Sequence, residues 1–476
     1  MRDTDTNISA AVVRAAKDDP AAGAALEALG RHGNVYAVGG IVRDTVLGVT
    51  GKDVDLLVQG VSPDDVQAAL ERLPGRVDYT GKHFGVFRYR ASGGGDVEVA
   101  LPRTERSVGA GHRDFEVVSD HTLAVEEDLA RRDFTGNAIA VNLATGEIID
   151  PYRGREDLRG GLLRTVSEDS FRDDPLRILR ALSSVSRHGL AATFETAQAM
   201  AQHAAGLHEL PAERVAAELD KTLAGSDPVA ALNLAEMTGV LREVLPDVAA
   251  MAGFDQRSKY HSLLLHDHTK AVVGWVVEQG GDVDLRWAAL LHDVGKPASQ
   301  WIDEHGYGHY YQADGGVGAD HEIVGADMAR RILNDLKFPT ERITRIVRLV
   351  RHHMFPPFKT ETAARRFVNR VGPDYTDDLL TLRWADVDGK EKDFDSNVPQ
   401  MRALLEKIRA EKQPTGIAML AIDGHDLLAA GHEQGPSMGA TLRMLLDAVI
   451  EDATLNTRDN LFDLLRNSGV GKETKA

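Results

Sequence analysis

Between Gly39 and Val58 the chain reads GGIVRDTVLGVTGKDVDLLV, and this run restricts how the surrounding segment can fold. Residues 35–38 ahead of it, Val-Tyr-Ala-Val, read as a strand. Gly39-Gly40 interrupts that strand with a turn at which the backbone can approach a ligand closely. Arg43 and Asp44 are then expected to open a helix, and residues 54–58 to form a second strand. The order strand, glycine turn, helix, strand predicts an α/β unit whose turn N–H groups form an anion site. Asp53 and Asp55 stand at i and i+2 of the second strand, where alternation puts both carboxylates on one face. Two such oxygens suit Mg²⁺, which takes one or two protein carboxylates and fills its shell with water and substrate phosphates. A solvated strand face is the competing reading of any Asp-x-Asp. Glu98, in the alternating run Asp96-Val97-Glu98-Val99, adds a third acid and favours the metal.

A chain of 476 residues exceeds what one hydrophobic core serves, so two to four domains are expected. No apolar run reaches the ~18 residues of a membrane span, and MRDTDTNISA holds no apolar signal core, so a cytoplasmic protein without membrane contact is expected. Cysteine is absent, which removes disulfides, thiolate metal sites and cysteine nucleophiles together and leaves His, Asp and Glu as ligands. The net charge of −18 argues against a polyanionic partner for the whole surface. Arginines are nevertheless dense from Arg103 to Arg187, and a local basic groove suffices for RNA.

Residues 1–30 read as an Ala-rich helical segment. From 31 to 150, candidate strands at 35–38, 54–58, 86–89, 97–101 and 138–141 alternate with helices such as 63–73, and the glycines at 93–95 read as a hairpin loop. Residues 151–253 become almost wholly helical, with apolar periodicity over 175–186, 195–205 and 212–223. Histidines then become frequent across 254–395, and a helical tail occupies 396–476 with a Gly/Pro break at 431–439.

Arg131 and Arg132 precede Asp133 and Asn137 in ARRDFTGNAIA, and guanidinium forks match phosphate oxygens bidentately. Ion pairing with Glu126, Glu127 and Asp128 is the alternative for these arginines. In FRDDPLRILR, Asp174 and Arg177 fall three apart, on one face if helical, with Arg180 a turn later. Asp174 as helix cap with Pro175 in the first turn is the alternative there. Together these motifs resemble the bacterial-type CCA-adding tRNA nucleotidyltransferase and poly(A) polymerase family, in the branch that carries an HD-type domain. The resemblance implies a multidomain fold: an α/β nucleotidyltransferase head with a small mixed sheet, an all-α neck and body, an all-α HD-type domain and a helical tail. It further implies that Asp53 and Asp55 bind Mg²⁺ as catalytic acids, beside Glu98, the third acid read from the strand pattern. Gly39, Gly40, Arg43, Arg131, Arg132, Asp133, Asn137 and Arg180 would lie at the nucleotide, and Asp174 and Arg177 would read the base. Asp173 stands where the family usually has Glu, and Gly136 where it has an apolar residue.

The implied reaction is attack of a tRNA 3′-hydroxyl on the α-phosphate of CTP or ATP with pyrophosphate leaving, in a two-metal displacement. An Asp/Arg pair selects bases because C and A carry an exocyclic amine where U and G carry a carbonyl.

In LLHDVGKP, His292 and Asp293 are adjacent at the end of an apolar helix. With His268, His321, His353 and Asp386 the order resembles an HD-type metal-dependent phosphohydrolase, which implies His268, His292, Asp293 and Asp386 as ligands, with His321 and His353 for a second ion. Mixed nitrogen and oxygen donors suit Mn²⁺, Ni²⁺, Co²⁺ or Fe²⁺ better than Mg²⁺ alone. His261, His266 and His352 rank below these. A metal-free helical support is the alternative, and a phosphatase or 2′,3′-cyclic phosphodiesterase acting on RNA ends is the expected activity. CCA addition to tRNA is the leading expectation for the whole chain. A poly(A) polymerase, an A-only or C-only enzyme, and an HD-type phosphohydrolase with an inactive head remain open, as does the oligomeric state.

Overall fold

A computed structural model describes residues 2–49, 53–79, 85–107, 115–257, 264–310, 320–388 and 397–468. His261 and the Thr50-Gly51-Lys52 part of the first motif lie outside these residues. The chain divides into two compact units, Met1–Ala249 and Ala250–Ala476.

The first unit opens with α1 (Arg2–Asp18) and α2 (Pro20–Leu29). The expected single helical segment is split because Pro20 cannot donate its nitrogen, while Asp19 caps α2 by accepting from the amides of Ala21 and Ala22. Next come β1 (Asn34–Val38), α3 (Gly40–Val46), β2 (Asp55–Gln59), α4 (Pro63–Glu71), β3 (Gly75–Tyr79), β4 (Val86–Ala91) and β5 (Asp96–Ala100). Then follow β6 (Arg103–Ser107), β7 (Phe115–Ser119), α5 (Val125–Ala130), β8 (Ala140–Asn142) and β9 (Ile148–Ile149). Seven strands form one mixed sheet in the order β3-β4-β5-β2-β1-β8-β9, in which only β2 and β5 run parallel. β6 and β7 make a separate hairpin that the strand pattern had not indicated. Gly94 and Gly95 take positive φ in the loop joining β4 to β5, as a hairpin requires.

Helix α3 begins at Gly40, so Arg43 and Asp44 fall within it rather than at its start. The turn before it rests on Gly39, whose φ of 70° and ψ of −127° suit only glycine. Under the turn, Tyr36, Val38, Leu57, Ala138 and Ala140 form a core on which α5 lies through Val125 and Leu129. Burying a leucine such as Leu129 contributes about 1.5–3 kcal/mol, and it fixes where the end of α5 delivers the next residues, Arg131 and Arg132.

After residue 150 the unit is helical, including α6 (Gly154–Arg159), α7 (Ser170–Asp173) and α8 (Leu176–His188), which ends at Gly189 with φ 64°. The strands found there are two-residue pairs, 162–163 with 191–192, and in the second unit 301–302 with 308–309.

The second unit is built of helices, among them Leu265–Glu278, Val283–Leu291, His321–Asp335, Thr340–His352 and Thr376–Asp388. Trp287 is fully buried with its ring edge-on to Phe338 at 5.3 Å, and Trp275 meets Trp384 at 5.2 Å. A separate cluster of Ile422, Leu427, Leu445, Val449, Leu461 and Leu465 holds the last helices together. Among the described residues no helix is long and apolar enough to cross a membrane.

Candidate functional site

A cleft of ≈ 390 Å³ in the first unit is lined by Gly39, Gly40, Arg43, Asp55, Glu98, Arg103, Arg131, Arg132, Asp133, Asn137, Asp174, Arg177 and Arg180, with Val38, Leu56, Val86 and Ala100. Parallel pairing of β2 with β5 sets Asp55 opposite Glu98. Asp53 is not among the residues that line the cleft. β2 begins at Asp55, opposite Val38, the last residue of β1, and Asp53 is exposed two residues ahead of it. Its charge still reaches Asp55. Burial, then Glu98, raises the Asp55 carboxyl to about 6; Arg132 pulls it down and Asp53 adds a smaller upward push. Hard oxygen donors crowded until one resists ionising are the donor set of a divalent cation such as Mg²⁺, so the acids fit the ion expected for them.

Above the acids stand the arginines. Arg131 donates through Nε and Nη2 to Oδ1 of Asp128 at 2.9 and 2.6 Å. Arg132 donates to Asp128 Oδ2 at 3.3 Å and to the Asn137 carbonyl at 3.2 Å. The ion pair considered as the alternative for these arginines therefore exists, with Asp128 as partner, and both arginines still line the cleft. Arg43 Nη1 donates to Asn137 Oδ1 at 3.0 Å, and Asn137 Nδ2 to Asp133 Oδ1 at 2.9 Å. Arg180 lies 2.9 Å from the other Asp133 oxygen. Burial would raise the Asp133 carboxyl, yet Arg180, the Asn137 amide and Arg177 outweigh it and hold it below the ordinary carboxylate range. At Gly136 a Cβ would meet Leu158 Cδ2 at 2.7 Å, so Leu158 fills the space that an apolar side chain there would need.

Asp174 is not on a helix. Pro175 disfavours helical backbone before it, and Asp174 is extended (φ −137°, ψ 99°) between α7 and α8. Its Oδ1 accepts from Leu176 N at 3.1 Å, so part of the capping alternative is present. Arg177 donates to Ser170 Oγ at 3.1 Å and to the Arg131 carbonyl at 2.7 Å, which fixes its guanidinium beside the loop that carries the other arginines.

In the second unit the residues of the HD-type pattern come together. Ligand atoms of His268, His292, Asp293 and Asp386 lie within 4.8 Å of one another, as do those of Asp293, His321 and His353. Asp293 joins the two groups: its Oδ2 is 3.2 Å from His292 Nε2 and 3.7 Å from His268 Nε2, and its Oδ1 is 3.4 Å from His321 Nε2. Asp386 Oδ1 reaches His268 Nε2 at 3.1 Å. The Nδ1 atoms of His292, His321 and His353 face the carbonyls of Ala289, Tyr310 and Val350 at 2.7, 3.1 and 2.7 Å. An Nδ1–H donated outward leaves Nε2 as a lone pair directed inward. His321 Nε2 and His353 Nε2 then face each other at 3.4 Å, and His292 Nε2 is buried without a hydrogen-bond partner. Lone pairs and carboxylates converging in a buried space fit a divalent ion with mixed nitrogen and oxygen ligation.

Burial together with His321 and His292 pushes His353 down to about 3, the neutral form a ligand needs. Burial also lowers His268. Burial would raise Asp293, but His292 and Lys296 hold it well below the usual range. His266 is buried and His352 half-buried, and neither belongs to the two ligand groups; His305 is exposed and His309 pairs with Asp303 at 2.8 Å.

Sequence reasoning named Asp128 only as one of three acids that could pair with Arg131 and Arg132, and gave Arg103 and Lys296 no role of their own. Lys296 Nζ lies 2.6 Å from Asp293 Oδ2 and donates to Gln256 at 3.1 Å. Its position three residues after Asp293, on one helical turn, is the signal that was available.

Residues 35–164 match the Poly A polymerase head domain, 189–251 the probable RNA and SrmB-binding site of polymerase A, and 265–388 the HD domain. The multifunctional CCA protein of Xanthomonas campestris pv. campestris strain B100 is 35% identical over 436 residues, covering 88% of this chain and 98% of that protein. Its counterpart in Xanthomonas axonopodis pv. citri strain 306 is 34% identical with the same coverage. The crystal structure of the Bacillus stearothermophilus CCA-adding enzyme in complex with CTP superposes with a TM-score of 0.70 at 25% identity, over 94% of this chain and 98% of that one. The Thermotoga maritima CCA-adding enzyme complexed with tRNA shares the fold with a TM-score of 0.59 at 22% identity, over 91% of each chain.

Proposed function

Because the chain belongs to the multifunctional CCA protein family and is a tRNA nucleotidyltransferase, we propose that it adds C, C and A in turn to tRNA 3′ ends from CTP and ATP, without a partner enzyme. The observation that carries this reading is one cleft lined by the acids Asp55 and Glu98, the arginines Arg131 and Arg132, and the pair Asp174 and Arg177. Asp53, Asp55 and Glu98 would hold Mg²⁺, which when bound supplies activation of the attacking hydroxyl and stabilisation of the leaving oxygens. Arg131 and Arg132 bind the triphosphate, and Asn137 with Arg43 keeps the Gly39-Gly40 turn and the Asp133 loop in register beside it.

Base choice falls to Asp174 and Arg177. Asp174 uses Oδ1 to hold Leu176 N and has Oδ2 to accept from the amine of C or A. Arg177, anchored on Ser170 and Arg131, donates to the adjacent ring acceptor. U and G would place a carbonyl against the carboxylate, and a site built for a hydrogen bond rejects a base that lacks it. The test is incubation of the purified protein with tRNA lacking its 3′ end and each labelled nucleotide. Two C and one A followed by arrest are expected; long A tails, or incorporation of one nucleotide only, would refute the reading.

The histidine cluster supports a second activity, metal-dependent hydrolysis of a phosphomonoester or 2′,3′-cyclic phosphate at an RNA end, with Mn²⁺, Ni²⁺, Co²⁺ or Fe²⁺ at Asp293 and its neighbours. Chelator-sensitive hydrolysis of a 2′,3′-cyclic nucleotide should vanish in His292→Ala and persist in Asp55→Ala. The absence of hydrolysis with every one of these ions would remove the proposal.

A further inference from the structure

Asp128 does not line the cleft, yet it touches what does. Its carboxylate is fully buried in α5, between Val125 and Leu129, which face the core. Oδ1 receives both donors of Arg131, Oδ2 faces Arg132, and Oδ1 also lies 3.4 Å from the backbone nitrogen of Arg103. Arg103, Arg131 and Arg132 all line the cleft, and Arg103 opens the β6–β7 hairpin. A buried carboxylate among guanidiniums is weak evidence for stability, because apolar residues of like volume often serve as well. Its distinctive product is orientation. Arg132 shows this: Nη1 and Nη2 are engaged, while Nε is buried with no hydrogen-bond partner. A buried donor without an acceptor is costly unless a ligand answers it.

We infer that Asp128 is a positioning residue for the nucleotide phosphates: it sets the guanidinium planes of Arg131 and Arg132 and the start of the Arg103 hairpin, so that the polyphosphate meets preset donors. The inference rests on the nucleotidyl-transfer reading of the cleft. Asp128 touches neither substrate nor metal, and it acts through the arginines. Asp128→Asn keeps the volume and one acceptor but removes the charge that holds two forks. KM for both CTP and ATP and the dissociation constant of pyrophosphate should rise together by about ten- to a hundredfold, by analogy with the loss of a partner that orients a metal ligand. Base preference and the melting temperature should stay close to those of the unaltered protein.

The experiment uses the full chain with Mg²⁺, reading incorporation into tRNA lacking its 3′ end and, separately, calorimetric binding of pyrophosphate. In an Arg131→Ala, Arg132→Ala background the same Asp128→Asn change should keep only the part that passes through the Arg103 backbone, well short of its full penalty. Pyrophosphate binding unchanged in folded Asp128→Asn, a full penalty persisting in that background, or unaltered protein that binds no pyrophosphate would each overturn the inference. Should Asp128→Asn lose its fold, Asp128→Glu, which keeps the charge and moves it outward by one carbon, is read by the same criteria. Failure of the unaltered protein to incorporate nucleotide while it binds pyrophosphate would strike the transfer reading alone.

Discussion

Asp174→Asn is the sharpest probe of how the cleft selects a nucleotide. Asn can keep the acceptor that holds Leu176 N at 3.1 Å, so the turn into α8 survives, and it places an NH₂ where Oδ2 stood. The amine of C or A then meets a donor in place of an acceptor. Loss of a hydrogen bond to a charged group removes about 1.5–3 kcal/mol, and two buried donors left facing each other cost about 1–3 kcal/mol more. The sum, roughly 2.5–6 kcal/mol, corresponds to a fall of about 10²–10⁴ in kcat/KM for both CTP and ATP at about 1.4 kcal/mol per decade. UTP should improve but stay below the normal substrates, because its O4 gains a donor while its N3–H still faces Arg177. Steady-state incorporation of each single nucleotide into the appropriate tRNA acceptor measures all three. Unchanged kcat/KM for CTP and ATP in a folded Asp174→Asn protein would refute the assignment of the base edge to this pair.

Three further outcomes are expected. Gly39→Ala places a methyl 3.2 Å from Arg132 Nη1 and 3.6 Å from Asp55 Oδ2 on a backbone that suits glycine, so urea unfolding should show a loss of about 1–3 kcal/mol, with weaker nucleotide binding. Asp55 is raised in the fold from 3.8 to about 6, so without metal its contribution to stability is present below pH ~4 and is lost as pH rises through ~6. Roughly two pKa units amount to about 3 kcal/mol, and Asp55→Asn should abolish that pH slope in metal-free protein, as read by denaturation at pH 4 to 8. Mn²⁺ at about a hundred times its Kd should stabilise the second unit by about 2.7 kcal/mol, and His292→Ala should remove the shift in melting temperature.

Much of the head was legible because its signals are local. Short apolar or alternating runs marked the strands at 35–38, 54–58, 86–89 and 97–101, each within a residue or two of its observed bounds, and the three glycines at 93–95 indicated their hairpin. The β6–β7 hairpin was not legible, since Arg103–Ser107 reads RTERS and carries no apolar alternation. The break at Pro20 was readable but overridden by the alanine content around it. For Arg131 and Arg132 the phosphate reading and the ion-pair reading were set against each other, and the geometry contains both, because a guanidinium has donors enough to meet Asp128 and the cleft together.

What the sequence determined by itself is chemistry: no thiolates, so nitrogen and oxygen ligands; a turn that only Gly39 can make; an adjacent His292-Asp293 at a helix end; acids and arginines in an order that resembles a known family. These follow from side-chain identity and short-range sterics, which act within a few residues. The tertiary structure decided which groups meet. Parallel pairing of β2 with β5 put Glu98 beside Asp55, two acids 43 residues apart in the chain. The packing of Val125 and Leu129 hid Asp128 beneath the arginines. The folding of separate helices turned Asp293 toward histidines on both sides. Register and packing depend on partners distant in the chain, and no local pattern specifies the distance between two groups that only a sheet or a core brings together.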